Sequence, residues 1–102
     1  MAAYIIARVE VRETAWTEEY VPKTMALIQK HSGKLLVGSG CAMEPLEGEG
    51  KLPSAIIVLE FPSMEQAKAW YHDPEYAPLI KLRQTGAEAD IVVVDGGEPS
   101  PL

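Results

Sequence analysis

The chain has few of the residues that would give it an obvious chemistry. It has one cysteine and two histidines among 102 residues. The single cysteine, Cys41, excludes an internal disulfide and a multi-cysteine metal site. We expect it to be a small, partly buried apolar side chain. The sequence also lacks a glycine-rich phosphate loop, a Walker pattern and a nucleophile elbow. We therefore expect neither a metal nor a cofactor.

Positive charge and long apolar runs are scarce too. Nine Lys and Arg residues stand against fifteen Asp and Glu residues, which gives a net charge of −6. Nucleic acids and anionic membranes require positive surface, so neither is expected as a partner. The amino-terminal apolar run stops at Arg8 and Glu10, too early for a signal peptide or a membrane span. A cytoplasmic protein is the expectation.

The composition is that of one small globular domain. Apolar residues make up 47% of the chain and charged residues 24%, and 102 residues fit a single domain. Residues 44–50 and 96–102 are rich in Gly, Pro and Glu, which is typical of an exposed loop and a frayed terminus. We expect one domain over residues 1–96 and a flexible tail over residues 97–102.

Four segments have the character of strands. Each carries a dense run of apolar, mostly β-branched residues bounded by Gly, Pro or Asp, which favours extended structure. They are Ala3–Val11, Lys34–Met43, Ser54–Phe61 and Ala89–Asp95.

The first helical segment is predicted over residues 14–32. Thr14 could cap its start, and Gly33 stands where a left-handed carboxyl-terminal cap is expected. Pro22 lacks an amide donor, so we expect a kink there or a first piece that ends near Tyr20.

The second helical segment follows the third strand. Ser63 and Gln66 have the spacing of a capping box, and the helix should run to about His72. Asp73 and Pro74 are expected to restart it as cap and first-turn proline.

The element order is therefore β-α-β-β-α-β, which is the ferredoxin-like pattern of an α+β domain. We expect a four-stranded antiparallel sheet with two helices on one face. The third and fourth strands are apolar on both faces, although the helices can cover only one. A monomer would then expose a large apolar patch. A homodimer that packs sheet against sheet is the expected partner arrangement.

Several strings resemble those of the bacterial domain-of-unknown-function family thirteen-thirty, within the dimeric α/β-barrel superfamily. The strings run from Glu19-Tyr20-Val21 through residues 32–37, 60–63 and 70–76 to Arg83 and residues 89–91. The resemblance implies a ferredoxin-like protomer that dimerises through its sheet, and it implies no reaction. The family often has an arginine where this chain has Gly38, so a cation at that place is missing here.

Three charged residues stand out near apolar segments. Arg83 follows Leu79 and Ile80 at helical spacing, and Glu60 interrupts an apolar strand. Either Glu60 or Asp90 could form a structural ion pair with Arg83. Alternatively, Arg83 could bind the carboxylate of a ligand, with Asp90 in the same site.

The aromatic residues allow two interpretations. Tyr20, Trp70, Tyr71 and Tyr76, four of the seven aromatic residues, should face the sheet. They could be ordinary core, or they could line a pocket for a small apolar or aromatic ligand. His31 and His72 should lie near helix carboxyl termini, where imidazolium is favoured and a structural role is expected.

Two functions remain open from the sequence. The first is a dimeric protein that binds a small apolar or carboxylated metabolite between sheet and helices through Arg83, Tyr20, Trp70, Tyr76 and Asp90. The second is a cofactor-independent enzyme of the monooxygenase, isomerase or decarboxylase kind. Its proton carrier would be Tyr71, His72 or Glu60. A proton carrier should lie in a cavity with a perturbed pKa, whereas binding requires only the cavity.

Overall fold

The computed structural model describes residues 1–101, and that part of the chain forms four strands and three helices. The strands are β1 (Ala3–Val11), β2 (Lys34–Val37), β3 (Ala55–Phe61) and β4 (Ala87–Asp95). The helices are α1 (Thr17–Lys30), α2 (Met64–Tyr71) and α3 (Ala77–Gln84). Leu102, the last residue of the predicted tail, lies outside the described residues.

The strands form one antiparallel sheet in the order β2-β3-β1-β4. All three helices pack on the same face of this sheet. The α+β, ferredoxin-like prediction is confirmed. The two predicted helical segments lie on one face of the sheet, and the second divides into α2 and α3, in line with the expected restart at Asp73 and Pro74.

The second strand is shorter than predicted. It ends at Val37 rather than Met43, and residues 38–54 form the connection to β3. Two features end it: the pairing with β3 shifts register between Leu35 and Val37, and the Cys41 amide then bonds to the Gly38 carbonyl in a turn. Cys41 lies exposed in this connection, so the prediction that it is partly buried is wrong.

Helix α1 departs from prediction at its start and at Pro22. Thr14 does not cap it, because the Thr14 carbonyl accepts the Thr17 amide in a separate turn before the helix. The helix runs unbroken past Pro22, so the expected break near Tyr20 is wrong. Pro22 is exposed, and the carbonyl that it leaves without a helical bond belongs to the exposed Glu18.

At the carboxyl terminus of α1, Gly33 is needed for close packing and not for a left-handed backbone, so the prediction of a left-handed Gly33 is wrong. The left-handed residue is Ser32, with φ of 65°. The amides of Ser32 and Gly33 bond to the carbonyls of Gln29 and Ile28, as in a Schellman motif. A Cβ on Gly33 would overlap the ring of Phe61. Gly33 therefore allows the helix end to lie close to β3.

Two caps shape the second helical segment, one at the start of α2 and one at the corner between α2 and α3. Ser63 caps α2, as predicted, by accepting the Gln66 amide at 3.2 Å. Asp73 caps the turn before α3 rather than α3 itself, because its carboxylate accepts the Glu75 amide at 2.8 Å. The same carboxylate lies 2.9 Å from Lys30 Nζ and 2.8 Å from His31 Nε2. It thus ties the end of α1 to this corner.

The interior under the helices has two parts. We call the first the packed end; it is formed by large side chains, chiefly Ile5, Leu27, Ile28, Leu59, Phe61, Trp70, Tyr76 and Leu79. We call the second the hollow end; its buried residues are Ala7, Val9, Trp16, Ala55 and Ala87. Four of its five buried residues are thus Ala or Val.

The opposite face of the sheet carries no helix and is apolar at its centre. Ile6 on β1 pairs with Val58 and Val92 on its two neighbours. Ile6 is 39% exposed and Val92 is 55% exposed. We call this surface the outer face. Within residues 1–101, no helix is long and apolar enough to cross a membrane.

Candidate functional site

A cavity of about 500 Å³ lies between α1 and the helix-covered face of the sheet. Its lining extends over the hollow end and reaches the aromatic side chains next to it. The lining is mostly apolar, and its only titratable groups are Tyr20, Tyr76 and Arg83. A concave, largely apolar space with a few convergent polar groups is the usual form of a small-molecule site.

Two helices bring these three polar side chains together. Tyr20 lies on α1, and Tyr76 immediately precedes α3. Arg83 lies on α3, two helical turns after Tyr76 and on the same face. The hydroxyls of Tyr20 and Tyr76 share a short hydrogen bond. Arg83 Nη1 donates to Tyr76 at 3.0 Å and to Tyr20 at 3.3 Å. The guanidinium is thereby fixed at the cavity wall.

Arg83 is a buried cation without a carboxylate partner. Arg83 is 6% exposed. In the described part of the chain, no carboxylate oxygen of Asp or Glu lies within 4 Å of its guanidinium nitrogens. Its Nε is buried without a hydrogen-bond partner. Burial by itself lowers the pKa of Arg83, but the phenol oxygens of Tyr20 and Tyr76 raise it above its usual value. The guanidinium is therefore charged and incompletely satisfied.

Tyr76 is held as a neutral phenol. Its burial, followed by the proximity of Tyr20, raises its pKa well above the ordinary value for tyrosine, and Arg83 opposes this only in part. Its ring also stacks on Trp70, with 4.6 Å between the ring centroids. Tyr76 therefore positions Arg83 as a hydrogen-bond acceptor and does not itself supply negative charge.

Two further buried polar atoms lack partners, and both belong to residues that line the cavity. They are Thr24 Oγ1 and Trp70 Nε1. Thr24 lies one helical turn after Tyr20 on α1, and Trp70 stacks on Tyr76. The buried side-chain atoms without partners, as far as residues 1–101 show, thus all surround the Tyr20–Tyr76 pair. Such groups are rare in proteins and need an explanation.

Sequence reasoning identified four cavity residues and missed others. Tyr20, Trp70, Tyr76 and Arg83 line the cavity, as the pocket interpretation predicts. The residues that it missed as site members are Trp16, Thr24, Ala7, Ala55 and Ala89. A signal existed for two of them, because Trp16, Tyr20 and Thr24 recur every four residues and therefore share one face of α1.

The predicted ion pair between Arg83 and a carboxylate is wrong. Glu60 lies on the outer face, where its carboxylate is 3.1 Å from Lys34 Nζ. The hydrogen bonds from Lys34 and Tyr4 lower the pKa of Glu60. Asp90 is exposed, and it lies opposite Arg8 on the same outer face. Neither residue shares a site with Arg83.

The remaining candidate proton carriers lie apart from the cavity. Tyr71 and His72 line a second, smaller cavity of about 280 Å³ beside β4, and His72 is exposed. His31 and His72 both occupy helix carboxyl-terminal caps, as predicted. Within the described chain, no group of three His, Cys, Asp or Glu residues is placed to hold a metal ion.

Solved structures with a similar fold include proteins of unknown function and an oxygenase. A protein of unknown function from Rhodopseudomonas palustris is 16% identical, with a TM-score of 0.73, 96% of this chain covered and 84% of that one. SnoaB, a cofactor-independent oxygenase from Streptomyces nogalater, is 11% identical, with a TM-score of 0.59 and coverage of 99% and 98%. A dimeric protein of unknown function with a ferredoxin-like fold from Bacteroides fragilis is 20% identical, with a TM-score of 0.56 and coverage of 92% and 95%. At these identities the likeness shows the fold alone.

Sequence comparisons give the family. A search of the curated proteins returns no match. The profile of one family, described as a domain of unknown function (DUF1330), matches residues 2–97. That range includes every strand and helix of the structure and all the residues of the cavity. The chain is therefore a member of the DUF1330 family.

Proposed function

We propose that the protein binds a small carboxylic acid with an apolar body in the cavity between α1 and the sheet. The observation that carries this proposal is Arg83, a charged and buried guanidinium at the cavity wall, with no carboxylate of residues 1–101 within 4 Å. Removing a cation from water without a paired anion is unfavourable. A ligand carboxylate would supply that anion.

The geometry of the guanidinium suits a carboxylate better than a neutral group. Arginine presents several N–H groups in one plane and can meet both carboxylate oxygens. The phenols of Tyr20 and Tyr76 use only Nη1. The remainder of the lining is mostly apolar and would take up the body of the ligand.

Binding is favoured over catalysis by the contents of the cavity. The residues that the sequence suggested as proton carriers, Tyr71, His72 and Glu60, lie outside it. Tyr76 is inside, but its raised pKa makes it a poor base at neutral pH. The likeness to a cofactor-independent oxygenase supports only the fold. None of the proton carriers that the sequence suggested lies in this cavity, so binding has more support here than the enzyme alternative.

The ligand proposal is tested by tryptophan fluorescence, because Trp16 and Trp70 both line the cavity. We would titrate the protein with 2-naphthoate and octanoate and with the corresponding neutral alcohols. The acids should bind at least about tenfold more tightly than the alcohols, since a hydrogen bond to a charged group contributes about 1.5–3 kcal/mol.

Arg83→Met should remove this preference for the acids. Lys81→Met is the matched control, because Lys81 is exposed on the same helix and the charge change is identical. Equal affinity for acids and alcohols in the wild-type protein, or an equal effect of both variants, would contradict the proposal.

We propose further that the protein is a cytoplasmic homodimer that packs through the outer face. The dimer is supported by the apolar centre of that face around Ile6, Val58 and Val92, together with the fold shared with the dimeric protein from Bacteroides fragilis. Light scattering should give a dimer mass for the wild-type protein and a monomer mass for Val92→Glu. Leu46→Glu, at a fully exposed loop position, is the control and should remain dimeric.

A further inference from the structure

We infer that the ligand is a planar aromatic carboxylic acid whose ring lies on a floor of small side chains, which we call the alanine floor. The floor consists of Ala7, Val9, Ala55 and Ala89 on three adjacent strands. This inference rests on the proposed function, because it assigns the apolar body of the acid that Arg83 would hold.

The strand register places the floor residues side by side. Val9 on the central strand pairs with Ala55 on one neighbour and with Ala89 on the other. Ala7 points to the same face two residues earlier. Adjacent strands are about 4.8 Å apart, so the floor is about 10 Å wide. The row of Ala55, Val9 and Ala89 presents short side chains across three strands, whereas Ala7 in the next row lies between Ile57 and Ile91. The floor is therefore flat across the first row and continues as a groove at Ala7, between the two isoleucines.

The wall beside this floor is aromatic. Trp16 and Tyr20 project from α1 and meet edge to face, with 5.1 Å between their centroids. Both line the cavity together with the alanines. Aromatic contacts of this kind contribute about 0.5–1.5 kcal/mol beyond the area that they bury. A flat floor next to aromatic edges therefore favours a ring over a flexible chain.

The volume agrees with a body of one or two rings. An apolar cavity of about 150 Å³ is large enough to hold benzene. The present cavity, at about 500 Å³, has room for a fused two-ring body and a carboxylate that reaches Arg83. The cationic end of the site lies at Tyr20, which contacts both the packed end and the hollow end. The ring would extend from there over the alanine floor.

The experiment compares 2-naphthoate with octanoate by calorimetry, using wild-type protein and two variants that fill the floor, Ala89→Leu and Ala55→Val. Wild-type protein should bind 2-naphthoate at least about tenfold more tightly than octanoate. Ala89→Leu should weaken 2-naphthoate at least about tenfold, and Ala55→Val should weaken it less. The melting temperature of each variant should not fall, because the new methyl groups enter empty space.

Ala26→Leu is the matched control, since Ala26 is exposed on α1 and does not line the cavity. It should leave both affinities unchanged. If octanoate binds as tightly as 2-naphthoate, or if Ala89→Leu folds and binds 2-naphthoate as the wild type does, the inference is wrong while the proposed function stands. If neither acid binds the wild-type protein, the proposed function falls as well.

Discussion

The packed end and the hollow end lie on the same sheet under α1 and α3, yet only one of them is filled. At the packed end the floor of the sheet carries Ile5, Leu59 and Phe61, and α1 approaches closely enough for Gly33 to touch Phe61. At the hollow end the same strands carry alanine at Ala7, Ala55 and Ala89. Helix α1 spans both ends as one continuous helix, so smaller side chains on the sheet leave a space rather than a closer approach.

The two ends also differ in how their polar atoms are satisfied. At the packed end the buried Asp73 carboxylate has three partners, Lys30, His31 and the Glu75 amide. Around the cavity, by contrast, Thr24, Trp70 and Arg83 each have a buried atom without a partner. A protein that needed only stability would fill the space and pair these atoms. These atoms follow the cavity, which reaches Trp70 at the packed end and extends over the hollow end, and they mark the cavity as the functional part of the interior.

The largest expected contrast between the two ends comes from truncating a large side chain. Leu79→Ala at the packed end should lower the free energy of unfolding by about 2–5 kcal/mol, because Leu79 is buried and leaves a new cavity. Ile57→Ala should cost less, about 2 kcal/mol or below, since Ile57 is only half-buried and already borders the cavity. Urea denaturation measures both. Equal losses would mean that the hollow end is as tightly packed as the other.

A smaller contrast is expected from adding a methyl group at two glycines. Gly33→Ala would press against the fully buried ring of Phe61 and should destabilise the fold by about 1–3 kcal/mol. Gly86→Ala would press against Trp16 and the exposed Glu13 side chain. Glu13 is exposed and Trp16 borders the cavity, so Gly86→Ala should cost less. Thermal unfolding of the two variants checks the order, and the reverse order would contradict the comparison.

Helical spacing predicts that Tyr20, Trp70 and Arg83 face the sheet, and all three line the cavity. Tyr76, in the turn before α3, lines it too. The sequence was not sufficient for the charged strand residues. Alternation shows that Glu60 faces away from Leu59, but both faces of the strand are apolar, so it does not show which face the helices cover. The partner of Arg83 was therefore mispredicted.

The cavity itself could not be predicted, because it depends on how far α1 stands from the sheet. Alanines at Ala7, Ala55 and Ala89 are equally compatible with a helix that approaches closely. Only the fold shows that large side chains at the packed end hold the helices away from these alanines. The early end of β2 was missed for a different reason, since Gly38 and Gly40 fall within a segment that otherwise continues the strand pattern.

The carboxylate network at the packed end predicts a pH dependence of stability. Hydrogen bonds from His31, the Glu75 amide and Lys30 lower the pKa of Asp73. A lowered pKa means that Asp73 stabilises the fold fully above its unfolded pKa of about 3.9, and that this contribution is lost as the pH falls toward the folded value. Asp73→Asn should therefore melt below the wild type at pH 7, and the gap should narrow below about pH 4. A gap that is independent of pH would contradict this account.

The smallest predicted effect is an unchanged or increased stability, where the preceding variants lose stability. It concerns the polar atoms around the cavity. Thr24→Val removes a buried hydroxyl that has no partner, so it should leave stability unchanged or raise it by up to about 1 kcal/mol. Thr85→Val is the matched control, because the Thr85 hydroxyl donates to the Leu82 carbonyl at 2.6 Å and its loss should be slightly destabilising. Thermal unfolding in the absence of ligand distinguishes the two. If Thr24→Val destabilised the protein more than Thr85→Val, its hydroxyl would have a structural partner, and one of the three unpaired atoms beside the cavity would be removed from the comparison.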